Sequence, residues 1–269
     1  MKTITLLSDF GTADGYVAAM KGVILSACPD ARIMDATHEI PPHDVRAGAW
    51  ALRHYARLHP PETIHVAVVD PGVGTVRAPL LVRAGGHWLI GPDNGLFSWV
   101  LQQAGRSRAF RIRPDVHRAG APSRTFHGRD VFAHVAGLLA AGVDWRSLVA
   151  LSVRPVRWRW PTPRRAADRI AGEIVHIDRF GNAISSIPAE WIRRSGPRLV
   201  IRCNELTVSR LSKTYAAVKP GATCALEEST GLLELAVREG NAARSWRISI
   251  GDRVIVKADR FFSIISATN

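Results

Sequence analysis

The sequence predicts two domains: an α/β N-terminal domain with a mainly parallel sheet flanked by helices, then an all-β, barrel-like C-terminal domain. Three observations carry this expectation. In the first half, apolar strand-like runs alternate with segments of helical period. Beyond a proline-rich stretch near residues 155–168 helical patterning almost vanishes, and short strand-like segments follow one another. A chain of 269 residues, 46% apolar and 22% charged, is also long enough for two cores of ordinary globular composition. The expected domains are therefore 1–158 and 169–269, joined by a linker at 159–168.

The elements can be justified in order. Thr3–Ser8 is an apolar run that stops at the turn Asp9-Phe10-Gly11. From Asp14 onward Val17, Met20, Ile24 and Ala27 repeat at helical spacing until Cys28-Pro29. A strand at Arg32–Asp35 precedes a second helix marked by Val45, Ala49, Leu52 and Ala56. Ile64–Val69 reads as a buried strand ending at Asp70-Pro71-Gly72, and Leu80–Arg83 and Trp88–Ile90 as further strands. Val131, Val135, Leu138 and Leu139 line a helix that closes at Gly142. In the second half Ile170–Ile177, Ile184–Ile187, Leu199–Cys203, Leu206–Val208, Ala225–Glu227, Leu232–Ala236, Trp246–Ile250 and Arg253–Val256 are strand-like, with helical pattern only at Ala189–Arg194.

Composition narrows the class. No apolar run approaches the roughly 18 to 20 residues of a membrane helix, and the N-terminus meets Asp9 too early for a signal peptide. Cys28, Cys203 and Cys224 are far apart and in no metal-like spacing, so a cytoplasmic protein is expected. The net charge of +13 would suit nucleic acid or anionic ligands. Lysine, however, stands only at positions 2, 21, 213, 219 and 257, and the arginines are spread along the chain. The densest stretch, Arg154 to Arg165, interleaves arginine with Trp158 and Trp160, which suits base stacking. Prolines 155, 161 and 163 favour a stiff surface linker instead, so a nucleic-acid partner is not expected.

Two carboxylates, Asp9 and Asp70, close different predicted strands and should share the rim where open α/β sheets bind ligands. Strand-end aspartates are equally often turn formers or caps. Asp70-Pro71-Gly72-Val73-Gly74-Thr75-Val76-Arg77 reads as a tight loop with an acid at one end and a guanidinium at the other. Gly91-Pro92-Asp93-Asn94-Gly95 is a second polar turn. Thr125-Phe126-His127-Gly128-Arg129-Asp130 puts His127 at a helix N-terminus, where partial positive charge disfavours protonation. There a neutral imidazole would accept a proton or orient a water. No H-E-x-x-H, C-x-x-C or compact Asp/His cluster suggests a metal. The turn Phe10 to Gly15 lacks the G-x-G-x-x-G spacing and carries an acid where a pyrophosphate would lie, so a neutral diol or a cation suits it better.

As an ordered set, these motifs, with Phe180-Gly181-Asn182, resemble the S-adenosyl-L-methionine (SAM) hydrolases, or SAM hydroxide adenosyltransferases, a family that includes fluorinating and chlorinating relatives. The resemblance runs from Lys2 to about Val256. It implies an α/β domain, a β-barrel domain and a homotrimer with substrate held between the N-domain of one protomer and the C-domain of its neighbour. SAM is then the substrate, with no metal or other cofactor. By motif position Asp9 would hold the ribose diol. Asp14, Asp178 and Ser229 would face the methionine end, Asn182 would hydrogen-bond adenine and Tyr215 would pack on its ring. Asp70, Arg77 and His127 would activate water. Two residues depart from the pattern. Glu228 precedes Ser229 where an asparagine is usual, and His43 stands where the fluorinating branch carries a tryptophan. Halide-using relatives lack the acid at 70 and the histidine at 127, so the resemblance implies hydrolysis of SAM to adenosine and methionine. A SAM-dependent halogenase and a basic nucleic-acid-binding protein are the alternatives.

Overall fold

Strand β1 (Thr3–Ser8) sends Ile4 and Leu6 to one face and Leu7 to the other, as expected of a strand buried on both sides. The same alternation recurs along the N-terminal unit of the computed structural model, which describes residues 2–118, 122–166, 168–194 and 199–258. The chain divides into two compact units between Trp158 and Arg159. The extended residues before that point belong to the first unit, where Val156 N–H donates to Asp93 and Trp158 N–H to Ser98 Oγ.

After β1 come α1 (Tyr16–Ala27), β2 (Arg32–Thr37), α2 (Val45–Ala56), β3 (Ile64–Val68), β4 (Pro79–Ala84) and β5 (His87–Pro92). Then follow α3 (Ser98–Gln103), β6 (Ser107–Ile112), α4 (His134–Ala140) and β7 (Val149–Val153). One core, with Ile4, Val66, Ile90, Met20, Ile24 and Phe132, packs α1 and α4 on one face of the sheet. The other, with Leu7, Ala67, Leu89, Leu52 and Leu101, packs α2 and α3 on the opposite face.

The sheet order is β2-β1-β3-β5-β4-β6-β7. Pairing is parallel from β2 to β5 and antiparallel from β5 to β7, so the expected mainly parallel sheet is a mixed one. The cause is local. Gly85-Gly86 joins β4 to β5 with φ of 56° and 84°, and two such residues close a tight hairpin that enforces antiparallel pairing. β6 and β7, not expected from the sequence, then extend the antiparallel edge.

The second unit contains β8 (Arg164–Arg165), β9 (Arg169–Ile177), β10 (Ala183–Pro188), α5 (Ala189–Arg193), β11 (Leu199–Cys203) and β12 (Leu206–Val208). It continues with β13 (Leu211–Ser212), β14 (Thr223–Glu227), β15 (Leu232–Val237), α6 (Ala242–Ser245) and β16 (Arg253–Ala258). Part of the expected linker, Arg164–Arg165, pairs with β9. The end of the expected C-terminal domain, residues 259–269, lies outside the described residues. The sheet runs β12-β11-β16-β9-β10-β15-β14-β13, and β12 also packs near β14, so it curls into a nearly closed barrel around Ile174, Ile201, Leu235 and Val254. Trp246–Ile250 is not a strand. Trp246 and Ile248 N–H groups donate to Ala242 and Ala243 carbonyls, and Arg247 turns the chain at φ 51°. No helix among the described residues is long and apolar enough to cross a membrane.

Candidate active site

The chain leaves β1 for β2 on one side and later places β3 on the other, so β1 and β3 flank a point where strand order reverses. Such points open a crevice at the carboxyl ends of the strands. Ser8 and Val68 are in register there, which sets Asp9 and Asp70, just beyond them, at the mouth of the same crevice. Asp9 Oδ2 accepts the backbone N–H of His43 at 2.9 Å.

Successive turns fold the loop after β3 back on itself. Val73 N–H donates to Asp70 O, and Thr75 donates through N and Oγ1 to Gly72 O. Gly74 has φ 78°, and a Cβ there would lie 2.6 Å from the Arg124 carbonyl, so only glycine lets this loop approach the segment that carries His127. The fold-back returns Arg77 to Asp70. Arg77 Nε donates to Asp70 Oδ1 at 2.9 Å and Nη2 to Oδ2, a bidentate fork whose two side chains are 9% and 5% exposed. The guanidinium also lies over the buried ring of Phe132.

His127 caps a single π-helical turn, Gly128–Ala133, that runs into α4. Its Nδ1 lies 2.8 Å from Arg77 Nη2. A guanidinium has donors and no acceptor, so Nδ1 must carry the lone pair and the ring proton must sit on Nε2. Burial, then the Arg77 charge, hold His127 below its ordinary value, against the opposing pull of Asp70 and Asp130. Neutral His127 in this arrangement donates through Nε2–H, and its basic nitrogen is occupied. Of the two roles expected for a neutral imidazole here, orienting a water fits this geometry and accepting a proton does not.

These groups border a cavity of about 290 Å³ lined by Asp9, Asp70 and His127 with Phe10, Tyr16, His43 and Phe126 among its walls. Phe10, Tyr16 and Phe126 form a triangle of rings with centroids 5.2 to 5.8 Å apart. The Gly91 to Gly95 motif is a brace for this rim. Asn94 Nδ2 donates to the Val69 carbonyl at 2.7 Å, and the Trp158 indole packs where a Gly95 side chain would stand.

In the second unit Asp178, Asn182 and Tyr215 line another cavity, of about 640 Å³. Asp178 Oδ1 accepts the N–H groups of Phe180 and Asn182, and Oδ2 accepts Asn182 Nδ2 at 3.0 Å. One carboxylate thus shapes the whole turn and orients the Asn182 amide.

The comparisons with known proteins divide along the same units. Residues 4–149 match the SAM hydroxide adenosyltransferase N-terminal domain, and residues 172–255 match the C-terminal domain of that family. The chain belongs to the SAM hydroxide adenosyltransferase family. It is 39% identical to the (R)-S-adenosyl-L-methionine hydrolase of Salinispora tropica, over 95% of this chain and 97% of that one. It is 29% identical to the fluorinase of Nocardia brasiliensis, over 94% and 96%. A crystal structure of an uncharacterized conserved protein from Thermotoga maritima superposes with a TM-score of 0.88 at 29% identity, covering 94% of this chain and 99% of that one.

Two residues singled out by motif position, Asp14 and Ser229, line neither cavity. Asp14 is exposed, two residues before α1, and is not part of the cavity wall. Ser229 Oγ donates to Glu228 Oε2 at 3.2 Å. The departure at Glu228 explains this. Its buried carboxylate also takes Thr230 N–H, Thr230 Oγ1 and Leu232 N–H, so it organises the β14–β15 turn from within. Sequence reasoning passed over the Phe10, Tyr16 and Phe126 wall, because aromatic residues beside turns read as ordinary packing. It also passed over Glu234, an acid inside an otherwise apolar strand.

Proposed function

We propose that the chain hydrolyses SAM to adenosine and L-methionine by delivering water to ribose C5′. The observation that carries this reading is the Asp70–Arg77–His127 cluster, largely buried at the strand-order reversal, with Asp70 and His127 lining a cavity that also holds Asp9. The sulfonium leaves as a neutral thioether, so the leaving group needs no acid. The site has to align a water opposite the C5′–S bond and stabilise the proton it sheds. Alignment alone is worth about 7 to 11 kcal/mol. In this reading a carboxylate oxygen of Asp70 accepts one water hydrogen, His127 Nε2–H donates to the water oxygen, and Arg77 fixes both partners. The fork weakens Asp70 as a base, so the proton leaves late, as the C–O bond forms and the attacking water turns acidic.

Asp9 accepts the ribose hydroxyls, with the aromatic wall beside it. In the C-terminal unit Asn182 bonds adenine, Tyr215 packs on its ring, and Asp178 faces the methionine end. As the family resemblance implies, this reading includes a homotrimer in which neighbouring protomers complete each other's site. Three unpaired thiols, two of them buried, fit a cytoplasmic setting. Asp14 and Ser229 are the weakest members of the set, since one is solvated and the other is engaged by Glu228.

The fluorinase relatives make a halide the competing nucleophile. A fixed carboxylate at position 70 repels an incoming anion and favours water. The test is to incubate purified protein with each sulfonium epimer of SAM, with and without chloride or fluoride, and to identify the nucleoside. Adenosine and methionine in equal amounts, unaffected by halide, support the reading. A 5′-halo-nucleoside, or no adenosine from either epimer, overturns it.

A further inference from the structure

We propose that Glu234 is a positioning residue that pins the Tyr215 ring to the wall of the C-terminal cavity, and so sets how tightly the adenosyl group is held. This rests on the reading above for the identity of the ligand, and on geometry alone for the pin.

Along β15, Leu233 and Leu235 point into the barrel core. Glu234 and Ala236 therefore point to the other face, where Glu234 pairs in register with Leu226 of β14 and Ile184 of β10. That places a carboxylate in the middle of a sheet beside the small apolar cluster of Cys224, Leu226 and Ala236, only 4% exposed. Among the described residues no cation pairs with it. Its one hydrogen-bond partner there is the Tyr215 hydroxyl, which donates to Oε1 at 2.7 Å. A buried carboxylate served by a single side-chain donor is costly to the fold, and packing alone would be better served by leucine.

Tyr215 begins a one-turn helix, Tyr215–Ala217, and its side chain is half-exposed. It lines the cavity with Asp178 and Asn182, and Glu234 does not. The hydroxyl bond ties the far end of a loop ring to a central strand, which fixes the ring's orientation before any ligand arrives. Preorganisation of this kind appears as affinity. The groups facing the carboxyl are Tyr215 from the loop, Asp178 from the turn after β9, Glu228 from the β14–β15 turn and Cys224 from β14. Burial, then the charges of Asp178 and Glu228, push it up to about 6 against the pull of the tyrosine bond. The pin is therefore charge-assisted above that pH and a weaker neutral bond below it.

The experiment compares Glu234→Ala, Glu234→Gln and Tyr215→Phe with wild type. Amide hydrogen exchange of the segment around Tyr215 is read by mass spectrometry, and kcat and KM for SAM by adenosine release. Glu234→Ala and Tyr215→Phe should both speed exchange in that segment and raise KM by about tenfold, the scale of a lost bond to a charged group, with kcat little changed. The double variant should be no worse than either single one. Glu234→Gln, which keeps a neutral acceptor, should hold exchange and KM close to the values wild type shows below pH 6, well short of those of Glu234→Ala, and should remove the wild-type dependence of KM on pH near 6. Unchanged exchange in both Glu234→Ala and Tyr215→Phe overturns the pin. Changed exchange with unchanged KM, or a fall in kcat alone, overturns its role in binding. A wild type that releases no adenosine overturns the functional reading, while the exchange data still decide the pin.

Discussion

Replacing Asp70 by asparagine keeps the shape of the side chain and removes its charge, and the consequences divide into two measurable parts. In the native protein both carboxylate oxygens accept from Arg77, one from Nε at 2.9 Å and the other from Nη2. Asparagine turns one of these acceptors into an NH2 that faces a guanidinium N–H. With side-chain exposures of 9% for Arg77 and 5% for Asp70, the cation is left without a counter-charge out of water. Breaking one partner of such a pair costs about 3 to 5 kcal/mol, which lowers Tm by roughly 10 °C in a chain of this size. Catalysis should suffer separately. In the proposed mechanism the water loses its acceptor, so kcat should fall about a hundredfold or more, with KM for SAM little altered because the contacts proposed for Asp9, Asn182 and Tyr215 are untouched. Adding Arg77→Met removes the orphan cation, so the double variant should regain most of the lost stability and none of the turnover. Thermal melts and adenosine release on the same samples separate the two effects. Native turnover in Asp70→Asn, at any stability, would mean that the Asp70 carboxylate does not act on the water.

Three further outcomes follow from individual contacts. His127 is held below its ordinary value of 6.5 by burial and by Arg77; its neutral form therefore persists to lower pH, and the acid limb of kcat should fall below pH 6.5, a limb at or above 6.5 being the contrary result. Glu234 rises from 4.5 to about 6 in the fold, which corresponds to about 2 kcal/mol. Because a raised carboxyl favours the folded state only while protonated, the penalty is absent below 4.5 and complete above 6. Denaturation of Glu234→Gln should accordingly show a gain of up to about 2 kcal/mol at pH 7.5 and none at pH 4. Gly74→Ala should push the Asp70 loop off the Arg124 carbonyl and lower turnover at least about tenfold through misplacement of Arg77, whereas Gly22→Ala, with open space around it in α1, should leave turnover native.

Much of the candidate site was legible because its residues stand in short runs. Asp9 and Asp70 were placed on one rim simply because each ends an apolar run, and the register of β1 with β3 brings those ends together. Direction of pairing was harder to read. Apolar runs at Leu80–Arg83 and Trp88–Ile90 announce strands, but the deciding signal was Gly85-Gly86, a hairpin turn between them. Ser107–Ile112 escaped notice because Arg108 and Arg111 break its apolar pattern in a strand that lies between β4 and β7 and is only partly buried. Trp246–Ile250 has the alternation of a strand because Ile248 enters the barrel core, yet its backbone continues the hydrogen bonding of α6. Contacts that depend on side-chain partners left little trace in the sequence. The proton on His127 Nε2 follows from an arginine 50 positions away, and the detachment of Ser229 follows from one carboxylate beside it.

Attack by water at C5′ is tested by reaction in water enriched in oxygen-18, with mass analysis of the nucleoside released from SAM. One labelled oxygen per adenosine is expected, located at the 5′-hydroxyl, in wild type and in whatever product Asp70→Asn still forms. Adenosine whose 5′-oxygen is unlabelled, or label appearing instead on a ribose freed from adenine, would contradict attack by water at C5′.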